Sequence, residues 1–546
     1  MNKAKKMLSF LLVAGMLLGS GVMGACAGGG GGNSDSDQTL DVYLLYKGYQ
    51  DEWLTSTIEL FKQQDWVKEA YPNLQINYEM DSSDSTAGNK LSAGASINYY
   101  DLMFGVNLGG YSGTNVIADL TETVYNATVP GENVKVKDKI PETVLNQMAY
   151  EKNNEKSYYT MCYIQGFYSM LYNADLLSSF KGEGWIPVTT NELMDVCATI
   201  KATGYDFTSA GATKRVNTTI MNCSSSNYWK NSFPVWWAQY EGLGGYEAYY
   251  NGIFNEERSP LVATQTGRLR SLEVLEDLFS NYAYESAAAV DYIISQTNFL
   301  SGNGVFHFNG DYFASEMALS IDALAQQGIT PDIRFMKMPV VSAIVEKLEY
   351  RNGQAYMSDE LLAEAVREID ADKTYEQSSV KDKGVSKTDF AMIAEARRIS
   401  AFSQSGTQTV VIPGYSPAKQ LASDFLRFMY TDKAIANFVK SSKGVILPST
   451  YDVLGDSEIA GSLNSIQKSK IEMQKGTSNY SFIHLPPETS FPLGRAGLSA
   501  LPGFTSKIEV LFALPENQRP MHAQDVYQVC IDTVAGNWGQ WVATII

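Results

Sequence analysis

Residues 409–433 read Thr-Val-Val-Ile-Pro-Gly-Tyr-Ser-Pro-Ala-Lys-Gln-Leu-Ala-Ser-Asp-Phe-Leu-Arg-Phe-Met-Tyr-Thr-Asp-Lys. In the second half of this stretch, large apolar residues recur at intervals of three and four: Leu421, Phe425 and Phe428, with Phe438 further on. This spacing predicts an amphipathic helix over 418–440. The fold class depends on whether similar helices elsewhere in the chain alternate with strands.

A βαβ unit is predicted at the start of the folded chain. Residues 40–46 are a mostly apolar run of strand length, and they are followed by apolar residues at helical spacing: Leu54, Ile58 and Phe61. After Pro72, apolar residues alternate as in a strand: Leu74, Ile76, Tyr78 and Met80. The period of the pattern therefore changes from helix to strand within about 40 residues.

Strands and helices continue to alternate beyond this unit. Residues 101–105 form another strand-like piece. A helix is predicted after Pro187, because Thr189 is a suitable N-cap and Glu192 completes a capping box. A further amphipathic helix is predicted over 268–282. This order predicts an α/β architecture with more than one sheet.

Composition and charge limit the class of ligand. The chain has 546 residues, of which 45% are hydrophobic, so it is globular and too long for one simple core. The net charge is −18, and removal of residues 1–25, which hold three lysines and no acid, makes it −21. This negative charge argues against nucleic acid and other polyanions as partners.

The N-terminus carries an export signal that ends at Cys26. Three lysines precede an apolar run from Met7 to about Gly24, which predicts a signal peptide over residues 1–25. The stretch 22–26 resembles the lipobox of bacterial lipoproteins, in which the cysteine is diacylated; an ordinary signal peptide is the alternative. Residues 26–38 then form a flexible tether. We expect an exported domain, anchored through Cys26 on the outer face of the bacterial cell membrane.

Familiar catalytic and metal-binding patterns do not occur in the sequence. There is no GxSxG, HExxH or P-loop, and the three histidines lie far apart, so no metal and no cofactor is predicted. The cysteines after Cys26 fix no disulfide pairing, and buried free thiols are favoured: Cys162, Cys197, Cys223 and Cys530. A glycosidase needs only two well-placed carboxylates, so that class stays open.

Aromatic residues are the most distinctive feature of the composition. The chain has 33 tyrosines and eight tryptophans, and several lie beside an amide or a carboxylate. Sugars suit this combination, because their C–H faces contact rings and their hydroxyls need fixed donors and acceptors. Core packing is the ordinary alternative for each ring. A binding role is favoured where a loop glycine adjoins the ring, as at Gly48, Gly166 and Gly310.

Four stretches of the mature chain resemble the family 1 extracellular solute-binding proteins of ABC importers. The stretch 409–433 is similar to the family's strand, its Pro-x-Lys-x-x-Ala-x-x-Phe-Leu helix and its Thr-Asp pair. The other three are Tyr-Asn-Ala-Asp-Leu-Leu at 172–177, the helix start at 187–193, and Gly-Val-Ile-Leu-Pro at 444–448. The order of these stretches along the chain is also similar to that of the family.

The resemblance implies a periplasmic-binding-protein-like fold. Such a fold has two α/β lobes joined by a hinge, with a ligand cleft between them. Lobe 1 is predicted to comprise 39–162 plus 338–440, and lobe 2 to comprise 163–337 plus 441–546. The charged region 343–405 is expected to be an inserted surface excursion without a core of its own.

The resemblance also implies ligand-contact residues in the cleft. They are Tyr46 and Lys47 after the first strand, Asn107 after strand 101–105, Gln165 and Tyr168 before the 172–177 stretch, and Asp311 and Tyr312. Tyr312 stands where the family carries a stacking tryptophan. Trp236, Trp237 and Gln239 are added on their chemistry alone.

The sequence therefore favours a receptor that binds a sugar or oligosaccharide, closes its lobes and docks on the permease subunits of an ABC importer. It is expected to act as a monomer, to bind no nucleic acid and to catalyse no reaction. Two alternatives stay open. One is a receptor for a non-sugar solute such as a peptide, and the other is a surface glycan-active enzyme.

Overall fold

The computed structural model describes residues 38–46, 48–152, 155–164, 166–209, 212–221, 229–284, 290–403, 408–504 and 508–545. The predicted signal peptide, the anchor at Cys26 and nearly all of the tether lie outside these residues. Among the helices of the described ranges, none is both long enough and apolar enough to cross a membrane.

The strands are numbered in chain order. They are β1 Thr39–Leu45, β2 Gln75–Asp81, β3 Leu102–Val106, β4 Ala149–Lys152, β5 Glu155–Tyr158, β6 Met161–Cys162, β7 Phe167–Asn173, β8 Tyr205–Ser209, β9 Ala212–Val216, β10 Ile220–Met221, β11 Ile253–Phe254, β12 Glu257–Arg258, β13 Phe306–Gly310, β14 Ile333–Met336, β15 Ile399–Ser403, β16 Gln408–Val411 and β17 Ile483–Leu485.

The α-helices span Glu52–Lys62, Asp65–Ala70, Thr86–Ala93, Glu142–Met148, Ala174–Lys181, Thr190–Thr203, Trp229–Glu241, Leu243–Asn251, Thr266–Tyr282, Tyr292–Leu300, Phe313–Glu316, Ala318–Gln326, Asp359–Asp370, Lys387–Arg398, Lys419–Met429, Asp432–Ser441, Ser457–Ser462, Ser465–Gln474, Pro492–Arg495, Ile508–Ala513 and Ala523–Ala543. Shorter 3-10 turns connect several of them.

The first sheet has the strand order β2-β1-β3-β16-β6. β1 pairs in parallel with β2 and with β3, and Val42 lies opposite Tyr78 on one side and Leu102 on the other. β16 runs antiparallel to β3 and to β6. Successive side chains of β1 enter apolar clusters on opposite faces of the sheet, so helices cover it on both sides. The predicted βαβ unit is therefore confirmed.

The second sheet has the order β10-β13-β7-β15-β17, with β14 also paired to β7. β7 is the central strand. It runs antiparallel to β13, and its other edge pairs first with β15 and then with β14. Leu171 and Met170 on β7 enter different apolar clusters, so this sheet is also buried on both faces. The predicted α/β class with more than one sheet is confirmed.

Local sequence signals explain where helices begin and end. The hydroxyl of Thr189 accepts a hydrogen bond from the Glu192 N–H at 3.2 Å, as the capping signal predicts. The predicted helix 418–440 is two helices, because Thr431 caps a new helix by accepting from the Ala434 N–H at 3.2 Å. The cap residue has extended backbone geometry and so breaks the helical path.

Two segments belong to other sheets than the predicted division of the chain into lobes implies. β15 lies within the predicted lobe 1 segment 338–440, yet it pairs with β7 of the second sheet. Val445 and Leu447 lie within the predicted lobe 2 segment, yet they pack in the core of the first sheet. We use lobe 1 for the described residues of 38–162 and 408–463, around the first sheet, and lobe 2 for the described residues of 167–403 and 465–545, around the second sheet.

The region 343–405 is also corrected. Its helices Asp359–Asp370 and Lys387–Arg398 bury their apolar faces in the main core of lobe 2 rather than standing off the surface. The C-terminal helix Ala523–Ala543 adds Val526 and Val534 to the same core. Both regions therefore add residues to the core of lobe 2.

Three crossings connect the lobes. β6 leads into β7 through 163–166, β15 leads toward β16 through 404–407, and the third crossing lies near residue 464. Cys162 pairs with Thr409 at the lobe 1 end of the first two crossings, and Phe167 pairs with Ser403 at the lobe 2 end. The described ends of these two connections are therefore neighbours at both lobes, and we call this region the hinge.

Candidate functional site

The candidate site lies between the lobes beside the hinge. From lobe 1 it takes the loop that follows β1, and from lobe 2 it takes β7 and the turn after β13. β1 and β3 are parallel neighbours, so the loops at their carboxyl ends share one edge of the first sheet. Ligands of open α/β sheets bind at such edges.

Three tyrosine rings meet at this point. The ring centroid of Tyr312 lies 6.0 Å from that of Tyr49 and 6.1 Å from that of Tyr168, and both contacts are edge-to-face. Tyr49 belongs to lobe 1, whereas the other two rings belong to lobe 2. The cluster therefore provides aromatic faces and edges from both sides of the hinge.

Two glycines make room for the Tyr312 ring. A side chain at Gly48 would begin 3.3 Å from Tyr312 Cβ, and a side chain at Gly310 would overlap the Tyr312 ring itself. Gly48 thus allows lobe 1 to approach the Tyr312 ring closely, and Gly310 allows that ring to fold back over its own turn.

The Asp311 carboxyl group is buried beside the three tyrosines and accepts two hydrogen bonds. Its Oδ1 accepts a hydrogen bond from the Tyr49 hydroxyl at 3.0 Å and from the Phe167 N–H at 3.3 Å. Its Oδ2 has no hydrogen-bond partner within the described part of the chain. Burial raises the pKa of the Asp311 carboxyl to about 6, and the nearby Lys470 opposes this shift.

Lys470 approaches the same turn from the helix Ser465–Gln474. Its side chain is buried, and Nζ donates to the main-chain oxygen of Asp311 at 3.0 Å. Burial lowers the pKa of the Lys470 ammonium to about 8, and the negative charge of Asp311 opposes this shift. A buried positive charge thus lies behind the aromatic cluster and partly balances the buried carboxylate.

Glu316 adds a second carboxyl group to the lobe 2 side. Its Oε2 accepts from the Gln296 side-chain amide at 2.8 Å. Burial raises the pKa of Glu316, and its charge contributes to raising the pKa values of Tyr168 and Tyr292. Both neighbouring tyrosines therefore keep their protons at neutral pH and can donate hydrogen bonds.

Tyr46 and Asn107 lie at the sheet edge that faces this region. The Tyr46 ring is 36% exposed, and its hydroxyl donates to Gln50 Oε1 at 2.6 Å. Asn107 is exposed and follows β3 with φ of 57°, a backbone conformation that asparagine tolerates better than most residues. Both side chains have surface available for a ligand, and their contact with one stays a prediction.

Trp236, Trp237 and Gln239 are core residues, which corrects their predicted place in the site. Both tryptophans are fully buried, and their ring N–H groups donate to Pro339 O and Gln265 Oε1. Gln239 donates to Ile399 O at 2.9 Å and accepts from the Val341 N–H at 2.9 Å. These side chains have no surface left for a ligand, because their helix Trp229–Glu241 packs against the second sheet.

Lys47 and Gln165, which the sequence also placed in the site, lie outside the described residues. Tyr49 belongs to the loop 46–49 that the resemblance implied as a contact region, although it was not among the chosen site residues, and Lys470 joins the site without any predicted role. Gly48 beside Tyr49 was the signal available for the first. Lys470 had none, because an isolated lysine on a helix usually faces solvent.

The remaining titratable groups do not suggest a metal centre. In the ranges that the structure describes, no group of three or more His, Cys, Asp or Glu side chains is arranged to hold a metal ion. Cys162, Cys197 and Cys530 are buried and form no disulfide within the described residues, as predicted, and Cys223 lies outside those residues.

The architecture is shared with solved sugar-binding proteins. The GacH receptor of Streptomyces glaucescens GLA.O, solved unliganded and with acarbose, is 14% identical over 92% of this chain and 97% of its own, with a TM-score of 0.52. The apo form of RafE from Streptococcus pneumoniae is 13% identical over 93% and 99%, with a TM-score of 0.54. The chain has the solute-binding-protein fold.

A chitin oligosaccharide binding protein is similar to the same extent. It is 15% identical over 90% of this chain and 99% of its own, with a TM-score of 0.51. No family model and no curated protein matches the sequence. The likeness therefore lies in the solute-binding-protein fold rather than in extended sequence identity.

The pKa of Asp311 predicts how folding depends on pH. The folded-state pKa of about 6 exceeds the ordinary value of 3.8, so the folded chain binds the proton more tightly than the unfolded chain. The contribution of this carboxyl to stability is complete below pH 3.8 and is lost as the pH rises through about 6.

Wild type loses this contribution as the pH rises, whereas Asp311→Asn has no carboxyl group to titrate. We therefore expect the free energy of unfolding of Asp311→Asn, relative to that of wild type, to be roughly 2–3 kcal/mol higher at pH 7 than at pH 4. Chemical denaturation of both proteins at the two pH values measures this difference. Asp322→Asn, which changes an exposed carboxyl group of the same lobe, is the control. Equal pH dependence in Asp311→Asn and wild type would mean that Asp311 is not buried as an ionised group.

Proposed function

We propose that this chain is the extracytoplasmic solute-binding receptor of an ABC importer and that it captures a sugar or oligosaccharide between its lobes. The observation that carries the proposal is the cluster of Tyr49, Tyr168 and Tyr312, which is shared between the lobes of a solute-binding-protein fold. The resemblance to family 1 solute-binding proteins in the sequence supports the same assignment.

The comparisons support sugar as the ligand class. GacH was solved with acarbose, RafE was solved with raffinose, and a third similar structure is a chitin oligosaccharide binding protein. The chemistry of the site agrees with this class. Tyrosine rings contact C–H faces, and a partly buried carboxyl group such as that of Glu316 accepts hydrogen bonds from hydroxyls.

The proposed cycle has three steps. A neutral oligosaccharide binds between the lobes, the lobes close about the hinge, and the closed receptor docks on the permease subunits. The role is one of binding without catalysis, and a monomer suffices for it. A peptide or another non-sugar solute remains the alternative ligand, and a glycan-active enzyme remains the alternative function.

A thermal-shift screen of the full-length chain against a panel of neutral glycans tests the ligand class. A sugar at 100 times its Kd should stabilise the protein by roughly 2.7 kcal/mol, which is readily measured. A peptide panel run beside it tests the other solute class. Stabilisation by peptides and by none of the glycans would overturn the sugar proposal.

A reducing-sugar assay with the same glycans separates receptor from enzyme. We expect tight binding and no release of new reducing ends over a long incubation. Steady production of reducing ends, abolished by substitution of a carboxyl group in the cleft, would favour the glycan-active enzyme instead.

The membrane anchor is tested separately at Cys26. We expect Cys26→Ala to release the protein into the medium or to leave it unprocessed, because the acylated thiol is the proposed attachment point. Cell fractionation with mass spectrometry of the N-terminal peptide measures both outcomes. Cys162→Ala, which changes a buried free thiol in lobe 1, is the control for loss of a cysteine. If Cys26→Ala stays membrane-bound and fully processed, the lipoprotein assignment is wrong.

A further inference from the structure

One buried hydrogen bond joins the two lobes beside the hinge. The Tyr49 hydroxyl of lobe 1 donates to Asp311 Oδ1 of lobe 2 at 3.0 Å, and both side chains are almost fully buried. The two residues are 262 positions apart in the chain. A hydrogen bond to an ionised carboxylate in a dry environment is stronger than one between neutral groups.

Asp311 also exchanges two hydrogen bonds with Phe167, the residue that follows the first crossing of the hinge. Asp311 Oδ1 accepts from the Phe167 N–H, and the Asp311 N–H donates in return to Phe167 O at 2.9 Å. Phe167 is the first residue of β7 and directly follows the 163–166 crossing. The acceptor of the Tyr49 bond is therefore tied to the lobe 2 end of this crossing, and only the bond to Tyr49 itself spans the two lobes.

Two contacts at the third crossing hold the turn that carries Asp311. Lys470 Nζ donates to Asp311 O at 3.0 Å, and the Ser315 hydroxyl donates to Ser442 O at 3.0 Å. Ser442 belongs to lobe 1 and Lys470 to lobe 2, so the turn is fixed from both sides of this crossing. The turn that carries Asp311 is thus held by contacts near the first and the third crossing.

We propose that the Tyr49–Asp311 hydrogen bond is an interlobe latch and that Lys470 is the positioning residue that holds its acceptor in place. The latch favours the arrangement in which the lobes meet at Tyr312. It belongs to the protein itself and acts whatever solute the cleft accepts. The receptor therefore reaches this arrangement without using all of the binding energy of its ligand.

Single-molecule FRET on the full-length chain, without any sugar, tests the latch. Dyes are attached to unnatural amino acids at exposed positions of each lobe, Glu69 and Asp322. We expect Tyr49→Phe, which removes one hydroxyl group, to raise the ratio of open to closed molecules about tenfold. The matched control is Tyr71→Phe, because the Tyr71 hydroxyl donates to Asp424 within lobe 1 at 2.7 Å. This control should leave the ratio unchanged.

Two further variants test the positioning role. Lys470→Met should raise the open fraction in the same direction, and Tyr49→Phe combined with Lys470→Met should have no more effect than the larger single change, because both act through one bond. An open fraction that stays at the wild-type value in Tyr49→Phe overturns the latch. Additive effects in the double variant, or no effect of Lys470→Met, overturn the positioning role of Lys470. Because no sugar is present, these outcomes do not depend on the proposed ligand.

Discussion

Tyr312→Ala is expected to weaken sugar binding by more than tenfold while the protein stays folded. Tyr312 is partly buried between the rings of Tyr49 and Tyr168, where its remaining surface can contact a ligand. Loss of the ring removes that surface, and a tenfold change in Kd corresponds to about 1.4 kcal/mol. Removal of two edge-to-face contacts should lower the free energy of unfolding by about 1–2 kcal/mol.

Calorimetric titration with the glycan that gives the largest thermal shift measures the affinity, and thermal unfolding measures the stability. Tyr312→Phe keeps the ring and should bind within a few-fold of wild type. Tyr356→Ala removes a 50%-exposed tyrosine of the same lobe and should change neither quantity. Unchanged affinity in Tyr312→Ala would remove Tyr312 from the site, with or without a loss of stability.

The fold could be predicted where local patterns and family resemblance agree. The βαβ unit 39–81 has clear strand and helix periods, and the structure shows it with β1 and β2 in parallel register. The cap at Thr189 is a local signal and is also correct. The lobe boundaries near 338 and 441 are beyond such local signals, because strand pairing between distant segments decides them and no local pattern specifies whether β15 pairs with β7.

The candidate site was harder to predict, because it depends on burial. The sequence Trp236-Trp237-Ala238-Gln239 has the composition of a sugar site, yet its helix places those side chains against the second sheet. The residues around Tyr312 are similar in type, but Tyr312 follows β13 at the place where the two lobes meet. Lys470 meets the site only because the chain crosses between the lobes a third time, which residue spacing does not reveal.

Trp237→Ala is expected to have the largest effect on stability. The ring is fully buried, its N–H donates to Gln265 Oε1 at 2.7 Å, and the rings of Tyr246 and Tyr249 lie 5.0 and 4.8 Å away. Removal of a tryptophan from such a core should lower the free energy of unfolding by about 3–5 kcal/mol. The amide of Gln265 also loses a partner in a buried environment, which adds to the loss.

Sugar affinity of the folded fraction should stay at the wild-type value in Trp237→Ala, because the ring lies in the core of lobe 2 and away from the tyrosine cluster. The matched control is Trp185→Ala, which removes a partly exposed tryptophan of the same lobe. This control should lower the free energy of unfolding by about 1 kcal/mol. Denaturant unfolding and calorimetric titration of both variants separate core packing from ligand contact. A variant at position 237 that keeps its stability but loses its affinity would return Trp237 to the binding site and overturn its assignment to the core.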